Sequence, residues 1–97
     1  MTKTFIVSAI TTGSVVKAGT GQVYHVQVTG AGSADTVISI YDNPAGTATG
    51  TLTWRGVGAY NQDFDCTDGA GTGMQFPNGI TIVVAGTTSA NVVLTYN

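Results

Sequence analysis

Nowhere in this chain do apolar side chains recur at helical spacing over twelve residues, because glycine or a β-branched residue breaks every candidate window. Alternation of period two recurs instead, in runs rich in Thr, Val and Ile, whose branched side chains favour a pleated backbone. TFIVSAI (4–10) reads as a first strand, with residues 1–12 together an edge strand or an arm laid along another subunit. GSVVKAG (13–19) is a short second run. In QVYHVQVTG (22–30), Tyr24, Val26 and Val28 fall on one face and Val23, His25 and Gln27 on the other.

TVISIYD (36–42) is apolar at almost every position, as in a strand covered on both faces. After the breaker NPAGTATG (43–50), TLTWRG (51–56) places Leu52 and Trp54 inward and Thr51, Thr53 and Arg55 outward. YNQDFDC (60–66) sets Tyr60, Gln62, Phe64 and Cys66 against Asn61, Asp63 and Asp65. MQF puts Met74 and Phe76 on one face and is followed by the turn PNG (77–79). ITIVVAG (80–86) and ANVVLTYN (90–97), joined by TTS, suggest a terminal hairpin. About eight short strands, roughly ten to twelve residues apart, specify a single antiparallel β-sandwich or jelly roll.

The side chains available to that fold are unusual in charge. Of 97 residues, 42 % are hydrophobic, enough for a core, but only 8 % are charged. Glutamate is absent, and Lys3, Lys17 and Arg55 are the cations. Three scattered cations cannot neutralise a phosphate backbone or hold an anionic membrane, so neither nucleic acid nor membrane is an expected partner. A formal charge of −2 leaves little repulsion between copies, which favours packing beside other subunits. Cys66 is the single cysteine, so no intrachain disulfide can form, and a buried thiol is expected. MTKTFIVSAI lacks the pattern of a signal peptide, and its apolar run is too short to span a membrane. Synthesis in the cytoplasm is therefore expected, with any export by another route, such as release inside a particle.

DFDCTDGAGTG (63–73) gathers three carboxylates, the cysteine and three glycines. A calcium loop needs glycine at position six and a bidentate carboxylate at position twelve. Counted from Asp63, those places hold Asp68 and Met74. Gly69, Gly71 and Gly73 follow neither phosphate-binding pattern, and no helix follows them. The stretch reads as a turn, with Asp63 and Asp65 pointing together to solvent. His25 lacks an orienting group and an activated serine, and one His with one Cys cannot hold zinc within one chain. No catalytic residue, metal or cofactor is expected. Trp54, Tyr60, Phe64 and Phe76 are read as core. Arg55, if covered by another subunit, requires a carboxylate such as Asp42, Asp63 or Asp65.

The second half of the chain resembles small β-sandwich structural proteins of tailed bacteriophage particles. The residues that carry the likeness are Tyr41 and Asp42, Phe76 to Gly79, Gly86 with Thr87, and Val93 with Tyr96. The likeness covers about 38–97, and the first third adds only a generic strand at 21–28. It implies a virion component, such as a capsid decoration (cement) protein or a small tail or neck subunit, often trimeric and without catalytic residues.

The expected function is therefore non-enzymatic: multivalent cementing of a shell, with copies of itself and the major capsid protein as partners. Phe5, Val7, His25, Arg55, Asp63 and Asp65 are the candidate interface residues, and strand addition at 4–10 or 90–96 is a natural docking mode. A rival reading is a virion-borne module binding a carbohydrate or receptor through Trp54, Tyr60, Asn61 and Gln62. An enzyme would need Asp63 and Asp65 inside a cleft.

Overall fold

The computed structural model describes residues 2–8, 11–28, 36–57, 63–69, 71–86 and 91–97. Among them run nine strands and no helix: β1 (Lys3–Val7), β2 (Thr11–Lys17), β3 (Gly21–Val28), β4 (Val37–Asp42), β5 (Thr51–Val57), β6 (Asp63–Asp65), β7 (Met74–Phe76), β8 (Ile80–Ala85) and β9 (Val92–Tyr96). One antiparallel sheet has the order β1-β9-β3-β6, with β7 also paired to β3; the other has the order β2-β8-β4-β5. The all-β sandwich expected from the sequence is the observed fold. The strand over 60–66 is described only from Asp63, since residues 58–62 lie outside the described set.

The core lies between the sheets. Val23, Val26, Val28, Val92 and Leu94 face Ile38, Ile40, Ile80, Ile82 and Val84, with Phe76 among them, all fully buried. Each such side chain contributes roughly 1.5–3 kcal/mol by leaving water.

Three departures from the sequence reading follow from how strands pair. The final two strands do not form a hairpin: β8 sits between β2 and β4, while β9 sits in the other sheet between β1 and β3. Within the 90–96 run, β9 is consequently no free edge, because both of its sides are already hydrogen-bonded. The second departure is in β3, where the register against β9 shifts between Val23 and His25. The inserted residue reverses the alternation, so Val23 is buried with Val26 and Val28, and Tyr24 is only half-buried.

The third lies in β5. Its register against β4 shifts between Ile40 and Tyr41, which pair with Trp54 and Leu52. Thr53 is the extra residue, and its hydroxyl donates to the Thr51 carbonyl at 3.4 Å. Trp54 therefore stays on the side of buried Ile40, while Leu52 turns outward and is 46 % exposed.

Candidate assembly surfaces

Because successive strand residues alternate in direction, the residues between the core positions form the outer face of each sheet. On the β1-β9-β3-β6 sheet, two cross-strand rows result. One is Thr4, Thr95, His25 and Asp65; the other is Ile6, Val93, Gln27 and Asp63. The face thus grades from apolar at β1, where Ile6 is 65 % exposed, to acidic at β6. In that acidic corner His25 Nε2 lies 2.8 Å from Asp63 Oδ1. The Asp65 carboxylate accepts from the Thr67 hydroxyl (2.6 Å) and amide (2.9 Å), which hold its pKa below the usual value, with His25 adding a smaller pull.

On the outer face of the other sheet, Val83, Ser39 and Arg55 form one row and Ala85, Val37 and Val57 the next. Arg55 is exposed, as is Val57 at 54 %. The opposite end of this face is occupied by the loop over 43–50. Asn43 organises it: Oδ1 accepts from the Ala45 amide, and Nδ2 lies within 3.0–3.2 Å of the carbonyl and hydroxyl oxygens of Thr47 and Thr49. Thr81 anchors it, donating to the Asn43 carbonyl at 2.6 Å and accepting from the Gly46 amide. A Cβ on Gly13 of β2 would collide with the Gly46 carbonyl, so glycine lets the loop lie on the strand.

The sequence-predicted interface residues are therefore dispersed. His25, Asp63 and Asp65 come together on one face, and Arg55 stands on the other. Phe5 is half-buried against the core, and Val7 is part of it at 7 % exposure. Edges differ as well. β2 has two register shifts and β5 one, while β6 and β7 have three residues each. β1 pairs with β9 without a shift from Lys3 to Val7, leaving a regular outer edge.

The stretch that gathers the carboxylates and glycines opens as strand β6 (Asp63–Asp65), in keeping with the alternation over 60–66 but not with the reading of the whole stretch as a turn, and it turns only after that strand. Thr67 and Asp65 close one turn, and Asp68 and Thr72 close another through the Thr72 amide and the Asp68 carboxylate. Gly69 and Gly71 take φ of +86° and +88°, where a side chain would be strained. Cys66 is half-buried, less than expected from the sequence, and burial, helped by the Asp65 charge, pushes its thiol up to about 11. Among the described residues no three His, Cys, Asp or Glu side chains gather as a metal site. Trp54 and Phe64 pack edge to face at 5.1 Å and close the sandwich between β5 and β6.

Sequence reasoning missed why the likeness-bearing residues Tyr41-Asp42 and Phe76–Gly79 occur together. The Asp42 carboxylate accepts from the Asn78 amide (2.8 Å), the Asn78 side chain (3.0 Å) and the Gly79 amide (3.3 Å). The motif is a clasp between β4 and the turn before β8. Its signal was legible as an acid ending one strand and an Asn-Gly turn opening another.

No family model and no curated protein matches the chain. It is similar to a solved protein of Bacillus endospore appendages, which form a novel family of disulfide-linked pili. The similarity covers 99 % of this chain and 82 % of that one, with a TM-score of 0.57 and 16 % identity, and it establishes a shared fold.

Proposed function

We propose that this chain is a non-enzymatic structural subunit working in many copies, as a decoration (cement) protein on the shell of a phage particle. What carries the reading is the placement of large apolar side chains on open outer faces, Ile6 on one sheet and Leu52 and Val57 on the other, in a chain so poor in charge. Such surfaces are stabilised by being covered. Each contact can be weak, because attachment through many copies raises the effective concentration at every further site. The regular edge of β1 suits addition of a strand from a shell protein. A small tail subunit would use the same surfaces.

The similar Bacillus protein is consistent with a structural role, but its mode of linkage cannot carry over. One cysteine per chain closes a pair, whereas a disulfide-linked fibre needs two links per subunit. The glycan-binding reading has less support. The Trp54 ring lies over Gly56 and against Phe64, and Tyr60, Asn61 and Gln62 lie outside the described residues. For an enzyme, Asp63 and Asp65 stand on an open sheet face, where water is not excluded from a reacting group.

The test is to mix purified chain with undecorated shells of the phage that encodes it and to follow co-sedimentation. Saturable binding that raises the temperature of shell disruption is expected. A chain that neither binds shells nor associates with itself overturns the reading.

A further inference from the structure

We propose that copies of this chain stack face to face, the outer surface of the β2-β8-β4-β5 sheet of one copy on the outer surface of the β1-β9-β3-β6 sheet of the next. The proposal rests on the structural-subunit reading and adds the partner and the geometry.

The strand orders carry it. β1 and β2 are joined by residues 8–10 and lie at one side of the sandwich, while β5 and β6 meet through Trp54 and Phe64 at the other. The two orders therefore run in the same direction. A copy translated along the stacking direction places its β6 over β5 of the first, β3 over β4, and β9 over β8. That operation brings Asp63 and Asp65 of the next copy to Arg55, and Val93 and Thr95 to Val83. Acid meets base, and half-buried valine meets valine and threonine.

The heights along the strands agree too. Gly21 approaches Ile80 at one end of the sandwich, and Val7 leads to Thr11 at the other. Counted from the second end, Arg55 falls between the levels of Asp63 and Asp65. The loop over 43–50 occupies the first end, away from this contact.

Size sets the strength of each contact. The molecule measures 31 × 28 × 18 Å, so a whole face outlines about 870 Å² (31 × 28), near the ~800 Å² per partner of a standard interface. The loop removes part of that face, so a single contact is weak and the stack depends on repetition. The two faces of one copy are different surfaces, so the contact is heterologous and the file stays open-ended. Its repeat is about 20 Å, twice the ~10 Å spacing of packed sheets.

The test is charge reversal in the full chain, read by sedimentation velocity and electron microscopy. Wild type is expected to form files that lengthen with concentration. Arg55→Asp alone, and Asp63→Arg with Asp65→Arg alone, face like charge with like and are expected to need at least about tenfold more protein to assemble. An equimolar mixture of the two variants restores opposite charges at every contact and is expected to regain assembly, which also shows that both are folded. Lys17→Asp, off these faces, controls for net charge. Assembly indifferent to the reversals, a closed oligomer of fixed size, or a mixture of folded variants that stays monomeric overturns the stacking. Shell binding retained in the same variants leaves the structural role standing; its loss in wild type takes that role down separately.

Discussion

At Asp42 one carboxylate collects three donors from a single turn, the backbone amides of Asn78 and Gly79 and the Asn78 side chain, and so ties β4 to the entry of β8. Hydrogen bonds to a charged acceptor are worth more than neutral ones. Asp42→Ala is expected to lower stability by about 1–3 kcal/mol in urea unfolding, with Asp42→Asn losing less because one oxygen remains. Two further residues make pH predictions. Burial raises the folded Cys66 pKa to about 11 from 9.0, so its stabilising contribution is complete below 9 and is lost as pH rises toward 11. At pH 8 its thiolate is about a hundredfold scarcer than in an unfolded chain, partly offset by greater nucleophilicity, so labelling by a disulfide reagent is expected to be about tenfold slower. Asp65 has the opposite sign: its folded pKa is depressed by Thr67, so the contribution is present above the ordinary carboxylate value and lost as pH falls through the folded one. Thr67→Val is expected to move the Asp65 titration, followed by NMR, back toward that ordinary value.

Among the elements, β5 most clearly separates local pattern from tertiary outcome. Alternation alone puts Leu52 and Trp54 on one face, yet the bulge at Thr53 sends them to opposite sides. Leu52→Thr is expected to change stability by no more than about 0.5 kcal/mol, whereas Trp54→Ala costs about 2–3 kcal/mol by opening the seam against Phe64. Denaturant midpoints compare the two directly. A similar shift in β3 exchanges Tyr24 for Val23 in the core. Neither bulge leaves a mark that a single strand reveals, because a bulge is defined by the partner it is counted against. The turns, by contrast, were legible: Asn-Pro with two glycines marked the loop over 43–50, and Pro-Asn-Gly marked the turn over 77–79. The tightness of that second turn was not, for it depends on Pro44, whose backbone a Cβ on Gly79 would strike at 2.7 Å.

For the whole molecule the decisive pairing is Lys3 with Tyr96, which joins strands from opposite ends of the chain. β9 is hydrogen-bonded on both sides and carries buried Val92 and Leu94, so removing residues 92–97 is expected to abolish the folded circular-dichroism and NMR signature. Removing residues 1–8 takes away only an edge. The loss of Val7 and half-buried Phe5 is expected to cost about 2–5 kcal/mol while the fold survives. The candidate surface belongs to this scale as well. Its members were visible as exposed-face residues of separate strands, but Asp63, Asp65, Arg55 and Val93 form a pattern only once strand order is fixed.

The class of fold is written locally along the chain, because period-two alternation, β-branched composition and glycine-rich breaks act within a few residues and need no partner. A surface nearly without charge is equally local in origin, since charges that the chain lacks cannot be supplied by folding. Tertiary structure decided which strands became neighbours, where the bulges reversed the alternation, and which sheet took β8 and which β9. Those choices are set by filling one core from both ends of the chain at once, and no local stretch contains that information.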